Sequence, residues 1–230
     1  MGTLAEELKD QLECKAVFSF NIPRLGTIDI NESIVVTWII MAALTVIAIL
    51  LTRNLKVKNP GKRQVALEFV VTKLQSMAED MLGEGAAQYA QYIVTVLIYL
   101  AVANLIGLCG FKPPTKDLNV TAALAIMSII LIEAAGIRAK GVKRWAKSFA
   151  EPIAIVAPLN VLEIVIRPLS LCMRLFGNVL GAFVIMEIIK HLCGLILPIP
   201  FSLYFDVFDG LIQAYVFVFL TSLFIREATE

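Results

Sequence analysis

The stretch NVLEIVIRPLSLCMRLFGNVLGAFVIMEIIK, residues 160–190, is a predominantly apolar run too long for an upright membrane crossing. As a helix rising 1.5 Å per residue it reaches about 46 Å, against a bilayer hydrocarbon core of about 30 Å. It must tilt strongly or break, and Pro168, which removes a helix donor, offers a kink point. Arg174 is the only charge between Arg167 and Glu187. An arginine at the centre of a membrane helix costs about 2.5–3.5 kcal/mol on insertion scales. Lysine can shed its proton when desolvated, whereas arginine does not. A site built on Arg174 therefore carries a fixed positive charge and needs an anion.

The rest of the chain agrees with a membrane setting. Of its 230 residues, 59% are hydrophobic and 17% charged, against about 45–50% and about 25% in soluble domains. Mean hydropathy is +0.82. Five regions have the length and apolarity of a span: 32–52, 90–110, 119–137, 159–192 and 201–225. Residues 61–83 alternate Val65, Leu67, Phe69, Val70 and Leu74 with charged and amide side chains, which predicts an amphipathic helix at the interface. The Asn59-Pro60-Gly61 turn and Gly83 bound it. Arg53, Lys56, Lys58, Lys62 and Arg63 follow the first span, and Arg138, Lys140, Lys143, Arg144 and Lys147 follow the third. With five spans, those two basic loops put the N-terminus outside and the C-terminus in the cytoplasm.

Several functions are excluded or disfavoured. A net charge of +1 gives no reason to expect nucleic acid, and Cys14, Cys109, Cys172 and Cys193 form no CxxC pair or metal-ligand spacing. No GxxxxGK[ST] loop is present to hold a nucleotide. No metal or other cofactor is called for, and the first thirteen residues, MGTLAEELKDQLE, lack a signal-peptide pattern.

The intramembrane polar residues fall into two files. At about 100° per residue Glu163, Arg167, Ser170, Arg174, Asn178 and Gly181 share one face of the fourth span. Glu163 and Arg167 can pair at i,i+4, leaving Arg174 with no acidic partner on its own helix. Asp206, Asp209 and Gln213 are spaced i, i+3, i+7 on the last span, and Glu187 with His191 lies on the outer half of the fourth. One partial path thus descends from outside past Glu187, Asp206 and Asp209; the other rises from the cytoplasm past Glu163 and Ser170. Arg174 stands between them and repels any cation taking the direct route. Such a chain needs a mobile carboxylate from a neighbour, and Gly177-x-x-x-Gly181 suits a closely passing partner. Glu133, near the cytoplasmic end of the third span, suits either an aqueous vestibule or snorkelling.

These residues resemble a known family. PLNVLEIVIRPLSLCMRLFGN (158–178) is similar to the signature of the a subunit of F-type ATP synthases, and LIQAYVFVFLTSLF (211–224) to its last helix. NPGKRQVALEFVV (59–71) and NLIGLCGFKPPTKDLNVTAALA (104–125) resemble earlier segments in the same order. The resemblance implies an ion-conducting stator subunit, not catalytic alone, pressed against a rotating ring of c subunits and held by peripheral stalk b subunits. It implies that Arg174 faces the ring carboxylate, with Asn178 and Gln213 as its polar companions. Asp206 then belongs to the outer half-channel and Glu163 to the inner path. One departure stands out: some members carry an acid where this chain has Phe183, and Glu187 lies one turn later.

The expected architecture is all-α: five membrane-spanning helices plus an interfacial amphipathic helix, the last two spans long and tilted. Residues 1–230 form one membrane domain, with an external segment 1–31, the interfacial helix 61–83 and an ion-channel helical hairpin 159–225. A bacterial plasma membrane is the expected location. The alternative is a stand-alone ion-coupled secondary transporter, which would usually show internal repeats and interrupted helices. A membrane scaffold is the third reading.

Overall fold

The computed structural model describes residues 16–22, 26–53, 55–56, 61–109, 111–148, 157–193 and 198–229; among them, the side chains of 16–29, Cys109, Ala146, Ser148, 157–159, Val161, Glu187, Leu192, Cys193, Pro198, Ile199 and Asp206 are not described. The remainder of the external segment, the Asn59-Pro60 turn and the loop 149–156 lie outside the described residues.

Two strands, β1 (Ala16–Ile22) and β2 (Gly26–Asn31), pair antiparallel with an irregularity between Ala16 and Phe18. This hairpin is an addition to the all-helical expectation for the segment before the first span. β2 runs directly into α1 (Glu32–Thr52). Then follow α2 (Lys62–Leu82), α3 (Ala90–Leu105), α4 (Leu118–Lys140), α5 (Val142–Ser148) and α6 (Ala157–Cys193). The chain ends in α7 (Pro198–Ser202), a π-helical segment Leu203–Asp209 and α8 (Gly210–Thr229). Five helical stretches are long and apolar enough to cross a membrane: Glu32–Thr52, Ala87–Leu108, Leu118–Lys140, Leu162–His191 and Pro200–Thr229. They match the five predicted spans.

Local chemistry sets the boundaries. The Asp117 carboxylate caps α4, accepting from the Asn119 backbone N–H at 2.9 Å. Gly141 and Gly83 end α4 and α2 with φ of 78° and 75°, a region that disfavours side chains carrying a Cβ. α6 runs through Pro168 without a break. Its 37 residues would span about 55 Å, so the excess over a core of about 30 Å must be taken up by tilt.

α8 is the centre of the bundle, packed against α3, α4, α6 and α2. Lipid offers no hydrophobic drive between helices, so close approach depends on small residues. Ala78, Ala90, Ala125 and Ala214 are buried at those seams, between Leu82, Ile93, Leu175 and Phe217. Cys172 is a free thiol buried in the same cluster, as expected of a small apolar residue. α1 lies at the margin: only Val36 and Ile40 are buried, while Trp38, Ile39, Ile49 and Leu50 are exposed. α2 is docked by Ala78 and Leu82 near its C-terminus and leaves Val65, Phe69 and Val70 exposed.

The bundle therefore has two ends. At one, β2 reaches α4 through Asn31, whose amide donates to the Asp117 carboxylate at 3.1 Å. At the other, the ends of α4 and α8 meet: a Cβ on Gly136 would lie 3.3 Å from the Ala228 carbonyl oxygen. α6 runs from the second end to the first.

Candidate functional site

The polar stripe of α6 sits on the boundary between its packed and free faces. Taking 3.6 residues per turn and Arg174 as reference, buried Leu171 and Leu175 lie about 60° and about 100° round the helix. Arg167 and Asn178 are rotated about 20–40° toward that packed side, and Ser170 about 40° away from it. The consequences follow residue by residue. Asn178 Nδ2 donates to Asp209 Oδ2 at 2.7 Å, joining α6 to the π-helical segment. Arg167 reaches Glu227 near the end of α8 at 3.0 Å. Ser170 and Arg174 are exposed. Arg174 makes no hydrogen bond or ion pair among the described residues. Gly177 and Gly181 are equally open, since a Cβ on either would meet nothing within 4 Å.

Opposite this stripe the backbone is irregular. Over Leu203–Asp209 the π-helical pattern widens the turn, so Asp206 and Asp209 do not keep the simple α-helical spacing assumed from sequence. The segment closes at Gly210, where a Cβ would come within 3.0 Å of Asn104 Cβ. Asn104 Nδ2 donates to the Gly210 carbonyl at 2.8 Å, and the Thr115 hydroxyl donates to Asn104 Oδ1 at 2.9 Å. Gln213, one turn beyond Asp209, is 6% exposed, and its Nε2 has no partner among the described residues. A buried amide donor left unpaired costs about 1–3 kcal/mol.

A cavity of about 330 Å³ opens at the hairpin end, with Asn178 and Asp209 in its wall. Sequence suggested acids here, yet Lys112, Lys116 and Lys190 also line it. Lys116 is buried and its Nζ lies 3.7 Å from the Phe183 ring centroid, a cation–π contact. Asp209 is the acid in the described lining; the Glu187 and Asp206 side chains lie outside the description.

A second cavity, about 210 Å³, lies at the C-terminal end between α4, α5, α6 and α8. Glu163 and Arg167 pair at 2.8 Å, as the i,i+4 spacing predicts. The same guanidinium reaches Glu227 and lies 4.9 Å from the Phe224 ring centroid. Glu133 accepts from the Trp145 indole N–H at 3.0 Å and lines this cavity. Ser170 is not in its wall. No residue lines both cavities among those described. Arg174 stands between them, about 6 Å along the helix from Asn178 and about 11 Å from Arg167 at 1.5 Å per residue.

Asn104, Lys116 and Glu227 were not singled out from sequence. Asn104 did carry a signal, being an amide inside an apolar span; the other two become visible only through contacts between distant segments.

Comparison with known proteins shows the family. The family profile "ATP synthase A chain" matches residues 34–226. ATP synthase subunit a 2 of Bradyrhizobium sp. (strain BTAi1) is 38% identical over 205 residues, covering 89% of this chain and 91% of that protein. ATP synthase subunit a of Moorella thermoacetica is 37% identical over 204 residues, 88% of this chain and 93% of the relative. The Legionella pneumophila (strain Philadelphia 1) protein of the same name is 33% identical over 216 residues, 94% and 92% respectively. Because the match includes Arg174 and both partners of the Asn178–Asp209 contact and takes in nearly all of the five spans, this chain belongs to the ATP synthase A chain family, as a multi-pass component of that enzyme's membrane sector.

Proposed function

We propose that the chain forms the two offset half-channels of a rotary ATP synthase and passes protons, with sodium ions as the alternative, to and from carboxylates on a rotating ring of c subunits. The observation that carries this reading is the position of Arg174: exposed, without a partner among the described residues, and lying between two separate polar cavities at opposite ends of α6. A guanidinium so placed has its countercharge still to come from outside the chain. A ring carboxylate passing the free face, at open Gly177 and Gly181, supplies it.

The cavity at the hairpin end is the outer inlet, with Asn178 and Asp209 in its wall; Glu187 and Asp206 belong to the same route. The cavity at the C-terminal end is the cytoplasmic inlet, entered past Glu163, with Ser170 further along. Gln213 and Asn178 flank Arg174 on the two sides of the seam. The basic clusters after the first and third spans orient the chain with its N-terminus outside a bacterial plasma membrane, and α2 lies at the cytoplasmic surface. Peripheral stalk b subunits hold the chain against the turning ring. One charge falling through 100 mV yields about 2.3 kcal/mol, little beside the cost of one ATP, so several ions per product are geared through rotation. Membership of the ATP synthase family takes the place of the stand-alone transporter and the scaffold.

The test is ATP synthesis in membrane vesicles carrying Arg174→Ala within the assembled complex. Synthesis is lost while assembly persists; synthesis at the wild-type rate overturns the reading.

A further inference from the structure

We propose that Glu227 is a second proton-accepting carboxylate of the cytoplasmic inlet, sharing the Arg167 guanidinium with Glu163; the inference rests on the half-channel reading above. Nothing in the signature motif on α6 points to it, since Glu227 lies 60 residues from Arg167 at the far end of α8.

The geometry is a three-group clamp. Arg167 reaches Glu163 at 2.8 Å and Glu227 at 3.0 Å, while the Phe224 ring backs it. The Arg167 side chain is only 18% exposed, but the two carboxylates are 54% and 59% exposed, so both stay within reach of water. Among the described residues, the charges that line this cavity are Glu133 and Lys140 from α4, Glu163 and Arg167 from α6, and Glu227 from α8. Three described carboxylates face two described cations there, which leaves one negative charge in excess among them. One guanidinium balances one carboxylate, so the pair it bridges keeps the capacity to bind a proton without breaking the clamp.

The step balances. A ring carboxylic acid gives its proton through water to Glu227 or Glu163, leaving a ring carboxylate opposite Arg174. The newly formed carboxylic acid then releases that proton to cytoplasmic water and returns to the carboxylate that Arg167 holds. Two acids on different helices, joined by one cation, give the proton alternative resting places at the inlet mouth.

A clamp that merely ties α8 to α6 predicts the opposite behaviour in two variants. Glu227→Gln keeps an oxygen for Arg167 but cannot take up a proton. Glu227→Asp keeps the acid but shortens its reach to Arg167. The assay is ATP synthesis driven by an imposed proton gradient in proteoliposomes holding the whole complex, with pH varied on the cytoplasmic side. Proton handling predicts a rate lowered about tenfold in Glu227→Gln, less than a lone acid–base group contributes because Glu163 remains. The dependence on cytoplasmic pH changes with it, and Glu227→Asp stays near wild type. A wild-type rate and pH profile in Glu227→Gln, or loss of synthesis in an assembled Glu227→Asp complex, overturns the inference. Arg174→Ala in the same vesicles tests the underlying reading separately. If that variant loses synthesis while Glu227→Gln does not, the half-channels stand and the second acid falls.

Discussion

Asn178 of α6 and Asp209 of the π-helical segment share a 2.7 Å hydrogen bond that pins the two longest membrane elements together one turn beyond Arg174. A hydrogen bond to a charged acceptor in a half-buried seam contributes about 1.5–3 kcal/mol. Asn178→Ala leaves the carboxylate without this donor, and Asp209→Ala leaves the amide without its acceptor. In a double-mutant cycle the two changes couple by about 1.5 kcal/mol or more, read from thermal unfolding of the purified chain in detergent. Additive effects would mean that the two side chains do not act as a unit.

Glycines on the two sides of the site separate folding from assembly. Nothing within 4 Å receives a Cβ on Gly177, whereas a Cβ on Gly210 comes to 3.0 Å from Asn104 Cβ. Gly210→Ala destabilises the chain by about 1–3 kcal/mol through overpacking and lowers its level in the membrane. Gly177→Leu leaves that level unchanged and instead blocks co-purification of the ring with the chain, because on the half-channel reading the space it fills belongs to the ring. Normal ring association in Gly177→Leu would show that this face is covered by lipid.

The buried Gln213 amide sets stability against function. Its Nε2 has no partner among the described residues. Gln213→Leu removes an unmet donor at similar volume and raises chain stability by about 1–3 kcal/mol, measured by denaturation in detergent. On the half-channel reading the amide finds its partner during ion transfer, so ATP synthesis by the assembled complex falls in the same variant. A variant both more stable and fully active would assign Gln213 to packing alone.

Most of the bundle was legible because apolar length is a local property. The five spans, the over-long α6 and the lone charge at Arg174 each follow from one contiguous stretch and from helical spacing. The pairing of Glu163 with Arg167 was legible for the same reason. Whatever depends on distant segments was not. Asn104 finds Gly210 over a separation of 106 residues, and Arg167 finds Glu227 over 60. The wide turn at Leu203–Asp209 has no spacing of its own in sequence; it is a backbone departure held where Asn104 grips Gly210. The β1–β2 hairpin sits in a segment read only as external, since two short strands carry far less periodic signal than a span. Lys116 lies in the connection between the second and third spans, and only the fold turns it inward over Phe183.

On the half-channel reading the site uses the permanence of the charge at position 174 more than its sign, and Arg174→Lys isolates it. Both side chains enter the membrane protonated, and the lysine stem is long enough to occupy much of the same path. An ammonium in a low-dielectric seam can release its proton, whereas a guanidinium keeps it and offers a planar fork to an approaching carboxylate. A lysine at this position would thus serve as one more proton-carrying group between inlets that share no lining residue among those described. Arg174→Lys vesicles freed of the catalytic head therefore conduct protons passively faster than wild type, and the assembled complex makes little ATP. Restoration of coupled synthesis by lysine would show that any cation suffices there, and that the barrier between the two cavities lies in packing and not in the guanidinium.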